Sequence, residues 1–277
     1  MAAVLLLTGA HTFAQSNLDD LRNKISNGSV EEKRSALFDI RSLHTEEASR
    51  IAVAALNDRN ELVRATAPAS IIFLPKPEAA KLLIPLLNDK AEFVRSEAAF
   101  ALGEIGDNSA TLSLVHTLQK DNSDALRSVA AAALGKIGDV SAIDALNTVL
   151  KKKLYEADEN LRRSAARSIG QIAQILRTGK KIVVTPQNFL PPKYKQNIST
   201  IESADVSFPV FPNSAPILAR ILSNNKETDD VRREAAFALG AIGDPASRSV
   251  LLNHVNSPDS YLAEICKEAL LNLAPAE

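Results

Sequence analysis

Apolar residues recur at helical spacing in Phe93–Asp107, which reads FVRSEAAFALGEIGD. This spacing places them along one side of a helix, so the pattern predicts an amphipathic helix with one buried face. The pattern returns twice with little change and once in degraded form, in Leu126–Asp139, Val231–Asp244 and Leu161–Ala173. Such recurrence predicts a fold built from repeated units.

The copies follow one another at a nearly constant interval. With Arg95 as the reference position, the equivalent residues in chain order are Arg34, Arg64, Arg95, Arg127, Arg162, Arg232 and Ala263. The steps between them are 30, 31, 32, 35, 70 and 31 residues. A period near 31 residues, doubled once, is typical of helical repeats.

Each copy also carries signals that end one helix and begin the next. Gly106 can supply the left-handed conformation that ends a helix, and Asp107 can accept hydrogen bonds from the free N–H groups of the following helix. Gly103 lies inside the helix, where glycine costs about 1 kcal/mol relative to alanine. Its recurrence therefore predicts a tight contact between helices. The copies of this glycine are Gly135, Gly170 and Gly240.

A further helix is predicted before each copy, so that each repeat is a helix pair. In Lys81–Arg95, KLLIPLLNDKAEFVR, Pro85 is placed to kink this first helix and Asp89 lies in the turn. The segment resembles the HEAT repeat, and the ALGxIGD units are similar to the HEAT-like repeat of phycobilisome lyase-type proteins. The resemblance covers roughly residues 18–273 apart from one insertion. It implies an all-α fold, an α-solenoid (right-handed superhelix) of about seven helix pairs.

Acidic and basic residues recur six positions apart, in the pairs Asp58/Arg64, Asp89/Arg95 and Asp121/Arg127. In the HEAT-type repeats that the chain resembles, such residues form a ladder of hydrogen bonds between adjacent repeats. A row of anion-binding arginines is the alternative interpretation. The repeat class itself indicates a fold and not an activity, because it supports many unrelated functions.

Two copies depart from the pattern in ways that predict local changes. Pro68 replaces a small residue, so this helix is expected to kink or split there. Ala173 and Gln174 stand where other copies have Gly-Asp, so the stop signal is absent. That helix is expected to run on to about Arg177 and to end at Gly179.

The predicted organisation is a signal peptide, five repeats, an insertion and two further repeats of the same solenoid, at residues 1–14, 15–177, 178–213 and 214–277. The insertion holds five of the thirteen prolines, and Ile182–Thr185 and Asp205–Val210 have strand character. A long irregular segment in a compact array is usually functional or disordered. Its aromatic residues argue against full disorder, so an ordered arm on the solenoid and a flexible excursion both stay open.

The first residues, Met1–Ala14, combine an apolar run with a small-residue cleavage motif before Gln15. This pattern predicts a secretory signal peptide and hence an exported, periplasmic or secreted protein. The usual basic residues before the apolar run are missing, and a frayed N-terminal helix is the alternative. No other stretch predicts a membrane segment, so no membrane insertion of the mature form is expected.

Composition narrows the classes of function. A formal net charge of −1 gives no field to attract nucleic acid or an anionic membrane surface. Cys266 is the single cysteine, which excludes an intramolecular disulfide. It occupies the small position equivalent to Ala98, so it is predicted to be buried and structural.

No catalytic residue, metal site or cofactor is predicted. No zinc-ligand spacing, P-loop, dinucleotide fingerprint or GxSxG motif occurs, and the four histidines are isolated. Deoxyhypusine hydroxylase is a HEAT-like metalloenzyme that holds iron with His-Glu dipeptides, which this sequence lacks. A bilin lyase-like or oxidoreductase-type enzyme that acts on a cofactor-bearing partner is the alternative function.

The predicted function is a non-catalytic scaffold or adaptor that binds another protein or peptide, and a purely structural spacer is a third possibility. The second helix of each pair is expected to line the binding surface. Candidates there are Glu97, Phe100, Arg167, Gln171, Glu234 and Phe237, and candidates on the insertion are Phe189, Tyr194, Phe208 and Phe211. Phe100 and Phe237 occupy equivalent positions, where partner contact and a core role are both open.

Overall fold

The structure is a computed structural model, and it describes residues 17–154, 157–179 and 211–273. Within these ranges every regular element is an α-helix or a short 3-10 helix, as the repeat pattern predicts. The predicted signal peptide lies outside the described residues. So do the two segments of predicted strand character, Ile182–Thr185 and Asp205–Val210.

The chain divides into two compact units, and the first ends at Ala110. From residue 17 onward it holds three helix pairs, each made of a first and a second helix. In chain order the helices are α1 at residues 17–27, α2 at Val30–Leu43, α3 at Glu46–Ala52, α4 at Glu61–Thr66, α5 at Lys76–Leu83 and α6 at Glu92–Ile105. A 3-10 helix extends α3 over Val53–Asn57 and α5 over Ile84–Asn88.

The second unit begins at Thr111, and its described residues hold four helix pairs. Its helices are α7 at Thr111–Lys120, α8 at Asp124–Ile137, α9 at Ile143–Lys151, α10 at Glu159–Thr178, α11 at Ser214–Ser223, α12 at Asp229–Ile242, α13 at Arg248–Leu252 and α14 at Ser260–Leu271. Short 3-10 turns at Val140–Ala142 and Pro245–Ser247 precede α9 and α13. The described residues thus contain the seven helix pairs that the repeat period predicts.

Prolines interrupt two helices where the sequence predicts a break. Helix α4 ends at Thr66, and the 3-10 turn Pro68–Ser70 follows it. Helix α5 changes to a 3-10 helix at Ile84, next to Pro85. Proline has no backbone N–H to donate, and its ring crowds the preceding helical turn. Both predictions are confirmed.

The predicted termination signals work as expected. Gly106 ends α6 in the left-handed conformation, with φ of 65°, and donates its backbone N–H to the carbonyl of Leu102 at 3.0 Å. Glycines end α8, α10 and α12 in the same way, at Gly138, Gly179 and Gly243. The aspartates accept from backbone N–H groups two residues later at 2.9, 3.0 and 2.9 Å, at Asp107, Asp139 and Asp244.

Helix α10 is longer than the other second helices because its sequence lacks the Gly-Asp stop. It ends at Gly179, as predicted, and its extra length brings Arg177 to the C-terminal ends of α12 and α14. There the Arg177 guanidinium donates to the carbonyls of Gly240 at 3.2 Å, Ala241 at 3.1 Å and Asn272 at 3.4 Å. A cation at helix C-termini is favourable because the macrodipole is negative there. The lost stop signal therefore ties three helices together.

A ladder of ion pairs joins neighbouring repeats in the first unit. The Nζ atom of Lys33 lies 2.7 Å from Oδ2 of Asp58 in the next repeat. Arg64 binds both carboxylate oxygens of Asp89 at 2.8 and 2.9 Å, and its Nη1 donates to the carbonyl of Asp58 at 2.9 Å. The hydrogen bonds from Arg64 hold the pKa of Asp89 below its ordinary value. Here the ladder interpretation is confirmed, because the carboxylates neutralise these cations.

The ladder also corrects the register of the first repeat. Lys33 and Arg64 each lie three residues after the first residue of their helices, and both pair with the following repeat. The assignment of Arg34 as the repeat equivalent is therefore wrong by one residue. Arg34 donates instead from Nε to the hydroxyl of Thr66 at 3.4 Å. With Lys33 in the reference position, the first step is 31 residues, like its neighbour.

The second unit confirms the predicted close contacts at the mid-helix glycines. A Cβ atom on Gly170 would lie 2.6 Å from the Phe237 ring and 2.9 Å from Cα of Ala238. A Cβ atom on Gly240 would lie 2.6 Å from Cβ and 2.7 Å from Cα of Ala269. Carbon atoms do not approach so closely, so each glycine lets a neighbouring helix backbone come near.

Cys266 is fully buried on α14, as its repeat position predicts. Burial raises the pKa of its thiol to about 12. The thiolate is the reactive form of cysteine, so a raised pKa makes the side chain inert at neutral pH.

We expect Cys266 to react with a disulfide reagent at pH 8 on the order of 1,000-fold more slowly in the folded protein than in the unfolded chain. The rise in pKa lowers the thiolate fraction by about that factor, and burial restricts access as well. Thiol titration before and after addition of urea measures both rates. Equal rates in the two states would contradict a buried thiol.

Candidate functional site

The second helices of the second unit lie side by side. Helix α10 packs against α8 and α12, and α12 packs against α14. The stripe of α10 that holds Ala165, Ala166 and Ile169 is buried, so the other side carries Arg163 and Arg167 to solvent. We call the exposed side chains of α8, α10, α12 and α14 the second-helix face.

Two ion pairs cross this face from α10 to α12. The Nη1 atom of Arg163 lies 3.4 Å from Oδ2 of Asp230, and Nη1 of Arg167 lies 2.8 Å from Oε1 of Glu234. The residues of each helix are four apart, so the two pairs lie one helical turn from each other. The side chains of Arg163 and Arg167 are 44% and 40% exposed, so water reaches both guanidinium groups.

Both guanidinium groups keep donors that no described residue uses. Among the described residues, Arg163 and Arg167 each make a single hydrogen bond, through Nη1. A guanidinium carries five N–H donors, so each arginine keeps donors that no described residue accepts. Burial raises the pKa of the Glu234 carboxyl, and the positive charge of Arg167 opposes that rise.

The arginine on α12 is bound more completely. Arg233 donates to both carboxylate oxygens of Asp259 at 2.8 and 2.9 Å and to Asp230 at 2.7 Å. Its guanidinium carbon lies 5.2 Å from the centre of the Tyr261 ring, within the range of a cation–π contact. Arg163, Asp230, Arg233 and Asp259 therefore form one network that runs from α10 to the start of α14.

Phe237 and Gln171 complete the centre of the face. Phe237 is half-buried, because its ring covers the bare backbone of Gly170. The Oε1 atom of Gln171 points to Gly135 on α8, where a Cβ atom would lie 2.5 Å away. Phe237 therefore combines the core role and the surface role that the sequence left open, because its ring packs on α10 and stays partly exposed.

A buried ion pair lies beneath the exposed arginines. Arg162 is 3% exposed and Glu227 is 7% exposed, and Nε of the arginine donates to Oε2 of the glutamate at 3.2 Å. Nη2 donates to Oε1 of the same carboxylate, and Nη1 donates to the carbonyl of Lys152 at 3.0 Å. A cleft of about 150 Å³ opens beside the pair, between the start of α10 and the turn before α12. The charge of Arg162 is matched by that of Glu227. Because Arg162 lies on α10 and Glu227 lies in the turn before α12, the pair joins two neighbouring repeats.

The remaining candidates on second helices lie in the first unit. Phe100 is 45% exposed on α6. Glu97 is half-buried there; burial raises the pKa of its carboxyl, and Arg41 on α2 opposes that rise. The structure therefore brings Arg167, Gln171, Glu234 and Phe237 together within the second unit, and Glu97 and Phe100 lie on α6 of the first unit.

Sequence reasoning missed several exposed side chains of the second helices. In the first unit Phe38 is 55% exposed, Leu62 is 44% exposed and Phe93 is 60% exposed. Phe38 and Phe100 each lie eight residues after the first residue of their helices. The corrected register of the first repeat would have revealed this equivalence. In the second unit, sequence reasoning missed Arg163, Arg233 and Tyr261.

Of the four candidates on the insertion, the structure describes only Phe211. Phe189, Tyr194 and Phe208 lie outside the described residues. Phe211 is 2% exposed at the start of the described range 211–273, so its ring belongs to the core. The expectation that Phe211 presents a surface contact is therefore corrected: its apolar ring is more stable away from water.

The described part of the chain shows neither a candidate metal centre nor a candidate membrane span. No group of three or more His, Cys, Asp and Glu side chains is arranged there to hold a metal ion. None of the described helices combines the length and apolar character needed to cross a membrane.

The family model for HEAT repeats matches residues 18–103, 48–135 and 83–170, which together cover more than half of the chain. The chain belongs to the HEAT-repeat proteins. A model for the PBS lyase HEAT-like repeat matches this HEAT-repeat chain at residues 231–257. The fold class of the chain is the all-α solenoid that the sequence resemblance implies.

Similarity to individual HEAT-repeat relatives is partial. Deoxyhypusine hydroxylase of Mus musculus is 40% identical over 57 residues, which are 21% of this chain and 19% of that protein. This chain thus matches about a fifth of the length of that relative.

Among solved structures, the complex of CpcE and CpcF of phycocyanin lyase from Nostoc sp. PCC7120 aligns at 21% identity, with 91% of this chain and 86% of that chain covered and a TM-score of 0.49. Human deoxyhypusine hydroxylase in complex with glycerol aligns at 19% identity, with 95% and 98% covered and a TM-score of 0.38.

Proposed function

We propose that this HEAT-repeat protein is a non-catalytic scaffold that binds another protein or peptide on the second-helix face. The observation that carries the proposal is the pair Arg163 and Arg167, which are exposed one helical turn apart and keep donors that no described residue uses, on the face that also holds the half-buried ring of Phe237. Arginine and aromatic side chains dominate the binding free energy of many protein interfaces. The helices α10 and α12 that present them are tied together by packing and ion pairs, so the face is preorganised for a partner.

The proposal includes export and a contribution from the insertion. Residues 178–213 connect α10 with α11, so the segment begins at the end of the helix that carries both arginines. Phe189, Tyr194 and Phe208 are proposed as additional contacts for the partner. Export is tested separately, by sequencing the N-terminus of the mature chain in the exported fraction; a mature N-terminus at Gln15 is the expected result.

Affinity capture from the exported fraction tests the binding function. Native protein is compared with an Arg163→Glu/Arg167→Glu variant and with a Lys151→Glu/Arg220→Glu control, whose exposed side chains lie on the first helices α9 and α11. We expect a specific protein to be enriched about tenfold or more by the native chain and the control, and to be lost with the face variant. Equal capture by all three, or no enriched protein, would overturn the proposal.

An enzyme of bilin lyase or oxidoreductase type is the second candidate function. The matches to a PBS lyase HEAT-like repeat and to a stretch of deoxyhypusine hydroxylase favour it. Such an enzyme would act on a cofactor-bearing partner. Elemental analysis and visible absorbance of the protein, purified from its source together with its captured partner, test this candidate. A stoichiometric metal or chromophore would favour it over the scaffold.

A further inference from the structure

The ligand chemistry of the second-helix face can be argued from the two exposed arginines, and this inference rests on the proposed function. Arg163 and Arg167 are four residues apart on α10, so their backbone positions differ by about 6 Å along the helix axis. Each uses one N–H donor on an acidic neighbour, Asp230 or Glu234. The free donors of a guanidinium form a planar fork that matches the two oxygens of a carboxylate.

An extended peptide places alternate side chains on one side, about 6.6 Å apart. This spacing is close to the rise between Arg163 and Arg167, so carboxylates at positions i and i+2 of such a peptide can reach both arginines. The next side chain on that side, at i+4, would meet Gln171, which lies one further turn along α10. A neutral polar side chain would suit this position.

We propose that the second-helix face binds an extended acidic segment of a partner protein, which lies along α10 with carboxylates at alternate positions facing Arg163 and Arg167. The neighbouring helix α8 leaves room for its backbone, because Ala125, Val129 and Ala132 stand at the repeat positions that Asp230, Glu234 and Phe237 occupy on α12. On the other side, the open part of the Phe237 ring can contact an apolar side chain of the segment. Asp230 and Glu234 each remain bound to one arginine nitrogen, so the ligand adds to these pairs without replacing them.

The test measures the binding of short peptides to the full chain by fluorescence anisotropy. The acidic probe is a fluorescein-labelled peptide, Ser-Gly-Glu-Ala-Glu-Phe-Gln-Gly-Ser. Its matched controls replace both glutamates with glutamine or with lysine, and an isomer places the two glutamates next to each other. We expect the acidic probe to bind at least about tenfold more tightly than each control, and to weaken as salt is raised. Equal binding of the glutamine peptide would overturn the proposal.

Protein variants identify the surface that binds. An Arg163→Gln/Arg167→Gln variant should weaken the acidic probe by about 10–100-fold, and a conservative Arg163→Lys/Arg167→Lys variant should fall between it and the native chain, because lysine keeps the charge but lacks the fork. The Lys151→Gln/Arg220→Gln control makes the same change in net charge on the first helices and should bind as the native chain does. Thermal unfolding followed by circular dichroism establishes that all variants are folded. An unchanged affinity in the face variant would overturn the proposal.

Two other outcomes separate the inference from the function on which it rests. The chain has acidic residues of its own in the insertion, Glu202 and Asp205. A Glu202→Gln/Asp205→Asn variant tests whether these residues compete with the probe. If this variant binds the acidic probe at least tenfold more tightly than the native chain, Arg163 and Arg167 bind the insertion of their own chain, and the proposal of a partner segment is overturned. If no acidic peptide binds although affinity capture returns a partner that depends on the same arginines, the ligand class proposed here is wrong while the scaffold function stands.

Discussion

Replacement of Arg162 with alanine is expected to lower the free energy of unfolding by about 3–5 kcal/mol, because it leaves the carboxylate of Glu227 buried without its counter-charge. The neighbouring change Arg163→Ala is expected to cost about 0–1 kcal/mol, since that arginine pairs with Asp230 in solvent. The two residues are adjacent in sequence and have the same side chain. They differ in burial, because the side chain of Arg162 is 4% exposed and that of Arg163 is 44% exposed.

Urea unfolding followed by circular dichroism compares the two variants. A double variant, Arg162→Leu/Glu227→Leu, should be markedly more stable than Arg162→Ala, since it removes both buried charges together. Similar losses for Arg162→Ala and Arg163→Ala would contradict a buried ion pair between repeats. A double variant no more stable than the single one would show that packing, and not the unpaired charge, dominates the cost.

Replacement of Gly240 with alanine is expected to lower the free energy of unfolding by about 1–3 kcal/mol. On helix propensity alone the change would stabilise the protein by about 1 kcal/mol, so the expected sign depends on the contact with α14. The new Cβ would lie 2.6 Å from Cβ and 2.7 Å from Cα of Ala269. Because one of these atoms belongs to the backbone, relief requires that a whole helix move.

The reciprocal exchange is the control for this prediction. Ala269→Gly removes the Cβ atom that the new methyl group would meet. The double variant Gly240→Ala/Ala269→Gly should therefore recover part of the stability that Gly240→Ala loses, because the contact with Cβ of Ala269 is removed while the contact with its Cα at 2.7 Å remains. Additive losses in the two single variants, with no recovery in the double, would contradict a close helix contact at this point.

Much of the fold could be predicted because its determinants are local and repeated. The left-handed glycines, the aspartate caps and the proline breaks each act within a few residues, so the sequence displays them directly. The missing Gly-Asp stop after Ile172 even predicted the extended end of α10. Its consequence was not predictable: Arg177 bonds to carbonyls of Gly240 and Asn272, which lie far along the chain.

The candidate site was predicted only in part, because its contacts join residues of different repeats. Repeat positions indicated Arg167, Glu234 and Phe237 as surface candidates, yet no local pattern shows that Arg167 pairs with Glu234. Arg163 was overlooked because its neighbour Arg162 holds the repeat position, and only the structure shows that one of them is buried and the other exposed. Phe38 was overlooked for a simpler reason, the one-residue error in the register of the first repeat.

Position-specific photo-crosslinking tests the central claim, that the second-helix face binds a partner, most directly. Benzoylphenylalanine is placed on the face at Asn160 or Tyr261, and as a comparison on the first helices at Leu112 or Arg220, all of which are exposed. Each variant is expressed in the source organism and irradiated in intact cells. The account predicts that a discrete crosslinked partner forms from the face positions and not from the first helices. The same products from both sets of positions, or none from Asn160 and Tyr261, would contradict it.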